Sequence, residues 1–163
     1  MVDASLVAEA IRETLVRMPL AASYADEQRD LQPYAQRALE ETFQQSFPTA
    51  NLRTVISVGG TGKPSLSLLG TRFWPDVEIR AGTTAVAAIE VKLIRQGHPA
   101  SKAIAEAVGQ SLIYSIRYPR VFTFVVHYGR SDLRYHDDDA ELAKRLSRLN
   151  VELILRRTSD RVA

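Results

Sequence analysis

Residues 75–94 read PDVEIRAGTTAVAAIEVKLI, and this stretch decides the fold. Two β-rich runs, about 75–80 and 86–94, are separated by a glycine-containing turn. Two such runs with a short turn between them are typical of a β-hairpin. The sequence therefore predicts two antiparallel strands joined by a loop over residues 81–85.

Polar and apolar side chains alternate along both runs. Because successive side chains of a strand point to opposite faces, Asp76 and Glu78 share one face of the first strand. Glu90 and Lys92 share one face of the second strand, and their immediate neighbours along the strand are apolar. Each strand is therefore predicted to have a polar face and an apolar face.

The predicted loop fixes which residues of the hairpin lie opposite each other. The pairs are Arg80 with Val86, Glu78 with Ala88, and Asp76 with Glu90. Opposed residues have Cβ atoms about 4.5–5.5 Å apart, a separation that one divalent cation can bridge. Two adjacent carboxylates repel each other, and a hard cation such as Mg²⁺ removes that conflict because it prefers oxygen ligands. Such an ion could activate water for phosphodiester hydrolysis, with Lys92 alongside.

The rest of the chain shows helical and strand patterns in turn. Helices are predicted over residues 3–17, 25–46, 101–117 and 138–149, and further strands over 52–58, 121–127 and 151–156. Pro33 marks a point where the second helix could break. The order α-α-β-β-β-α-β-α-β predicts an α/β fold with helices on the faces of a central mixed sheet.

The composition is that of an ordinary globular protein. With 163 residues, 45% hydrophobic and 25% charged side chains, the chain has the size of one domain over residues 1–163. The absence of cysteine excludes disulfides and cysteine nucleophiles. No apolar run approaches the ~20 residues of a bilayer span, and the acidic start is unlike a signal peptide. A cytoplasmic protein without membrane contact is expected.

Three groups of residues carry a resemblance to a known enzyme superfamily. They are Pro75-Asp76, then Glu90-Val91-Lys92, then Gln110 and Tyr114 with three residues between them. Together they resemble the signature of the PD-(D/E)XK nucleases, and the Gln-x-x-x-Tyr element is similar to the RecB-like branch. The resemblance covers about residues 30–128 and implies a restriction-endonuclease-like core with an extra N-terminal helix.

The resemblance implies a role for each matching residue. Asp76 and Glu90 would bind Mg²⁺ or Mn²⁺, and the backbone carbonyl of Val91 would add a third oxygen. Lys92 would assist the attacking water in the hydrolysis of phosphodiester bonds in DNA. Gln110 would belong to the catalytic centre on the helix that follows the hairpin.

Members of the superfamily often contribute one more acidic residue from the helix before the first strand. The candidates here are Glu40, Glu41 and Glu27. Glu40 is slightly preferred because Phe43 and Phe47 follow it at i+3 and i+7, which places it at the border of the buried stripe.

Contacts with nucleic acid are predicted around this centre. The GGTGK sequence at 59–63 is not a phosphate-binding P-loop, since Ser57 and Pro64 stand where that pattern needs glycine and Ser or Thr. A flexible loop is the better interpretation, with Lys63 and Arg72 as candidates for phosphate contact. Tyr114 is a third candidate for contact with the nucleic acid.

Two other interpretations stay open at this point. The chain could be a catalytically silent nuclease-like module that binds nucleic acid or assembles with a partner. It could also be an unrelated α/β scaffold in which Glu90 and Lys92 form a surface ion pair, with Asp76 elsewhere and Lys92 fully exposed.

The form of the DNA (single-stranded, duplex or branched), RNA as the substrate, and endo- or exonuclease action are also open. Double-strand cleavage would favour a symmetric homodimer.

Overall fold

The computed structural model describes residues 3–56, 66–95, 100–128 and 137–158. The helices are α1 (Ala4–Arg17), α2 (Gln32–Ser46), α3 (Ala100–Tyr114) and α4 (Asp137–Ser147), with a π-helical segment at Glu27–Leu31. The strands are β1 (Leu52–Ile56), β2 (Leu66–Leu68), β3 (Thr71–Phe73), β4 (Val77–Ala81), β5 (Thr84–Ile94), β6 (Val121–His127) and β7 (Val151–Arg157). Within the described ranges, no helix combines the length and the apolar character that crossing a bilayer requires.

Five of the strands form one mixed sheet in the order β1-β4-β5-β6-β7. Pairing is antiparallel from β1 through β4 to β5, and parallel from β5 through β6 to β7. Every residue of β6 is buried, as the apolar run at 121–127 predicts for a strand covered on both faces. The predicted α/β fold with a central mixed sheet flanked by helices is confirmed.

The two faces of the sheet pack against different helices. One cluster joins α1 and α2 to the odd-numbered residues of the hairpin strands, among them Val77, Ile79, Ile89 and Val91. The other cluster joins Ala88 of β5 to α3, α4 and the segments that follow them. Because strand side chains alternate, the even-numbered residues Glu90 and Lys92 share the α3 face with Ala88. The side chains of Glu90 and Lys92 therefore point toward the layer that contains α3.

The predicted helix over 25–46 is divided in two, as Pro33 suggests. The π-helical segment ends at Leu31, and Pro33 then stands in the first turn of α2, where its missing N–H costs no hydrogen bond. The Asp26 side chain caps the segment by accepting from the backbone N–H groups of Gln28 and Arg29, both at 2.9 Å. This break gives Glu27 a position separate from the α2 helix.

The β4–β5 hairpin keeps part of the predicted register. Glu78 lies opposite Ala88, which confirms that pair. Arg80 lies opposite Ala85, so its predicted pairing with Val86 is wrong; a register shift between Ile79 and Arg80 displaces the strands by one residue. The loop is only two residues long and begins with Gly82 at a φ of 60°, a conformation that favours glycine.

The glycine-containing stretch before the hairpin, predicted as a loop, includes a second hairpin. Strands β2 and β3 pair antiparallel with Leu68 opposite Thr71, so that Leu69 and Gly70 form the turn. Both turn residues have positive φ values, 49° and 77°, as in the two-residue turns that suit hairpin twist. The left-handed conformation costs a residue with a side chain roughly 1–2 kcal/mol, which makes leucine an unusual residue here.

Candidate active site

Strand β5 continues past Ile89, where its pairing with the first residue of β4 stops, and carboxylates bond to the strand edge that is left open. The last β4–β5 pair is Val77 with Ile89. Further along, the Val91 N–H donates to Asp76 Oδ2 at 2.8 Å and the Leu93 N–H donates to Glu27 Oε2 at 2.7 Å. Since the N–H and C=O of one strand residue point to the same side, the Val91 carbonyl faces this edge as well.

Glu90 and Lys92 enter the same region from the α3 face of β5. Glu90 is 4% exposed, and the Lys92 side chain is 20% exposed with its Nζ 3.7 Å from Glu27 Oε1. The interpretation of Glu90 and Lys92 as a surface ion pair is therefore wrong. The structure brings Asp76, Glu90 and Lys92 into one neighbourhood and adds Glu27 to it.

The electrostatics of the two hairpin carboxyls reflect burial first and the crowding of like charges second. Burial, followed by the nearby Asp76 charge, raises the pKa of Glu90 to about 9. Burial also raises the pKa of Asp76 to about 6, and the Glu27 charge adds to that effect while the Val91 N–H opposes it. The Lys92 ammonium lowers both pKa values without cancelling the repulsion. An additional cation at this position would therefore stabilise the ionised carboxylates.

Tyr114 and Gln110 lie on α3, above the same face of the sheet. The buried Tyr114 hydroxyl donates to the backbone oxygen of Trp74 at 2.6 Å and lies within hydrogen-bonding range of Glu90. Burial and the Glu90 carboxylate raise the pKa of Tyr114. Gln110 is half-buried and falls midway between Tyr114 and Glu106 on one helix stripe, at four-residue spacing. Tyr114 thus contacts the centre directly, and Gln110 lies one helical turn from Tyr114 along α3.

The preference for Glu40 as the helix carboxylate is wrong. Glu40 Oε1 accepts hydrogen bonds from Thr54 Oγ1 and, at 3.1 Å, from Gln36 Nε2. Thr54 lies opposite Ile79 and so shares the α2 face of the sheet, away from Glu90. Glu40 belongs to the α2–β1 interface, and Glu27, one of the alternatives, takes the place beside the centre.

Gln32 is a site residue that the sequence reasoning missed. Its side chain is 2% exposed, and its Nε2 has no hydrogen-bond partner in the described part of the chain. The amide lies beside the Asp76 carboxyl and lowers its pKa. A signal existed: Gln32 continues the buried helical stripe of Ala35, Leu39 and Phe43 at spacings of three and four. A polar residue in such a stripe indicates a buried polar contact.

A cleft of about 480 Å³ opens beside Lys92. Its lining includes Glu27 and Arg95 on one side and Lys102 and Glu106 of α3 on the other. Lys92, Arg95 and Lys102 border the opening together with the acidic side chains of Asp26, Glu27 and Glu106. The cleft makes the Lys92 side chain accessible from outside the protein.

The donor atoms at this centre fit a hard divalent cation. In the described ranges, no three histidine, cysteine, aspartate or glutamate side chains converge into a complete metal-binding cluster. One oxygen each of Asp76 and Glu27 is already engaged by a backbone N–H, which leaves one oxygen of each for other partners. Mg²⁺ commonly binds through one or two carboxylates and keeps several waters. The set of Asp76, Glu90 and the Val91 carbonyl meets that requirement.

Of the predicted phosphate contacts Lys63 and Arg72, the described part of the chain includes Arg72. Arg72 lies exposed on β3 of the small hairpin. Lys63 falls outside the described residues.

Compared with known proteins, the chain matches no protein-family model, no curated protein and no solved structure.

Proposed function

We propose that this chain is a metal-dependent nuclease of the PD-(D/E)XK type, with a restriction-endonuclease-like core, that hydrolyses phosphodiester bonds in DNA. One observation carries the proposal. Two carboxyls with raised pKa values, the half-buried Asp76 and the buried Glu90, meet at an open strand edge, with the Lys92 amine on the same strand as Glu90. Structural carboxylates are normally paired with cations, whereas the negative charges of these two repel each other.

The cation would be held by oxygen atoms of this edge. Asp76 and Glu90 supply carboxylate oxygens, the Val91 carbonyl supplies a neutral one, and Glu27 is the third acidic side chain of the neighbourhood. Held by these residues, Mg²⁺ or Mn²⁺ would supply Lewis-acid chemistry toward a phosphoryl oxygen and a water molecule. The backbone N–H groups of Val91 and Leu93 fix the orientation of Asp76 and Glu27.

Lys92 assists the attack on phosphorus. Its side chain is partly exposed toward the cleft, so the ammonium can donate a hydrogen bond to the attacking water and orient it. The same positive charge offsets the negative charge that develops on the phosphoryl oxygens. Glu27, at 3.7 Å from Nζ, restricts where the amine can reach.

The α3 residues keep the acidic side chains in place and line the substrate route. The Tyr114 hydroxyl, fixed by the Trp74 carbonyl, packs beside Glu90 and excludes water from it. Arg95 and Lys102 face the cleft and provide positive charge for the phosphate backbone. One centre cleaves one strand, so double-strand cleavage by this chain would use two copies in a symmetric pair.

Cleavage of linear, circular and single-stranded DNA tests the proposal. Wild-type protein is incubated with Mn²⁺ or with a chelator, beside Lys92→Ala and the matched control Lys102→Ala. We expect cleavage that requires the metal and falls at least about 100-fold in Lys92→Ala, because removal of one transition-state donor has costs of that order. Lys102→Ala should weaken substrate binding and leave the turnover step intact.

Equal cleavage by wild type and Lys92→Ala would reject this active site. No cleavage of any of the three substrates would instead favour the catalytically silent module. The two failures are distinguishable because only the first leaves a metal-dependent activity to assign.

A further inference from the structure

The tip of the β2–β3 hairpin is a second feature that points toward nucleic acid. Leu69 is 98% exposed and occupies the first position of the turn with a positive φ. Within the described ranges, the other non-glycine residues with positive φ are Asn51 and Asn150, and asparagine is the residue that tolerates this conformation best after glycine. Leucine at this position is unfavourable for the free chain, both in backbone conformation and in exposed apolar surface.

The hairpin stands on a fixed base. Phe73 at the end of β3 packs against the cluster that contains Tyr114 and Tyr118, and Leu66 opposite it is partly buried. The next residue, Trp74, is held through its carbonyl by the Tyr114 hydroxyl at 2.6 Å. The residues between Leu66 and Phe73 are exposed, so the tip projects from an anchored stem.

The stem leads directly into the proposed active site. Leu69 precedes Asp76 by seven residues, and a chain of that length spans at most about 25 Å. One turn of duplex DNA measures about 34 Å. A duplex whose phosphodiester lies at Asp76 therefore lies within reach of the hairpin tip.

The charge around the hairpin identifies the kind of partner. Residues 42–75 include three Lys or Arg residues and no Asp or Glu. One of them, Arg72, is exposed on β3 beside the tip. An exposed apolar tip with a cationic side chain beside it, in a stretch of sequence without acidic residues, fits a side chain that enters a base step while cations contact the adjacent phosphates.

We propose that Leu69 is a wedge that inserts between base pairs of duplex DNA and unstacks one base step near the scissile phosphate. The inference rests on the proposed function and narrows its substrate to duplex DNA that is deformed on binding. Leu69 contacts bases and takes no part in the hydrolysis itself. Its role is to position the strand that Asp76 and Lys92 act on.

A fluorescence experiment tests the wedge without cleavage. Duplex DNA carrying 2-aminopurine, whose emission rises when the base is unstacked, is titrated with Lys92→Ala protein in Mg²⁺. We expect an emission increase that Leu69→Asn abolishes, with duplex binding about tenfold weaker and single-strand binding unchanged. Asparagine suits the positive φ, so the hairpin itself is retained. The matched control is Leu149→Asn, at another exposed leucine.

An emission increase that persists in Leu69→Asn would overturn the wedge. So would an unchanged duplex affinity combined with weaker self-association in sedimentation, since the tip would then be a protein contact. Cleavage of single-stranded DNA separates this proposal from the proposed function. If wild type and Leu69→Asn cut single strands equally and duplex equally, only the wedge fails; if neither cuts anything, the nuclease assignment fails.

Discussion

Two buried glutamates on the same sheet face, Glu78 of β4 and Glu90 of β5, have opposite surroundings. Glu78, 8% exposed, accepts from Arg80 Nε through one oxygen and from the Tyr118 hydroxyl through the other. Glu90 has the Tyr114 hydroxyl and the Lys92 amine nearby, but Asp76 and Glu27 crowd it with like charge, and burial together with that charge raises its pKa. The first carboxylate is satisfied by the protein alone, whereas the second requires a proton or an added cation. The difference separates a structural ion pair from a candidate reactive centre.

The largest expected difference between the two glutamates is the loss in the free energy of unfolding when each is replaced by glutamine. Glu78→Gln removes the charge that Arg80 and Tyr118 are paired with, and we expect a loss of about 2 kcal/mol in the free energy of unfolding. Glu90→Gln replaces a carboxyl that is already neutral at pH 7 with an amide of the same shape, so little change is expected. Urea unfolding with chelator present measures both variants. Equal losses would show that the two sites are alike.

A smaller effect is expected in the pH dependence of stability without metal. The folded-state pKa of Glu90, about 9, exceeds its ordinary value of 4.5, so between these pH values the folded chain binds more protons than the unfolded chain. Stability should therefore be greatest on the acid side and fall as the pH rises through this window. Glu90→Gln should flatten that fall between pH 5 and 9, and Glu78→Gln should not. A slope that is unchanged in Glu90→Gln would contradict the raised pKa of Glu90 in the folded chain.

Part of the candidate site could be predicted from the strand pattern. The period of two along residues 75–94 places Glu90 and Lys92 on one face. The predicted position of Asp76 opposite Glu90 falls outside the β4–β5 pairs, because Asp76 precedes β4 and instead accepts from the Val91 N–H. The position of Glu27 could not be predicted this way. It depends on β4 beginning only at Val77, because the Leu93 N–H then has no β4 partner and donates to the Glu27 carboxylate. Glu40 has a better helical pattern, yet its partners are Gln36 and Thr54 on the other sheet face.

The errors in the fold have similar causes. The register shift at Arg80 arises because the hairpin closes in a two-residue turn at Gly82, which requires one strand to accommodate an extra residue. The β2–β3 hairpin was missed because its turn places Leu69 where asparagine would be expected. In both cases a local turn overrides the pattern of the strand, and the residue types alone do not reveal it.

Titration with Mn²⁺ at pH 7, followed by chemical unfolding, tests the central claim that the Asp76–Glu90 edge binds a divalent cation. At ten times the dissociation constant, the wild-type free energy of unfolding should rise by about 1.4 kcal/mol. Asp76→Asn should abolish this rise and Glu27→Gln should weaken it, while Arg80→Ala and Glu40→Gln should keep it in full. A rise of equal size in Asp76→Asn, or none in wild type, would contradict the account.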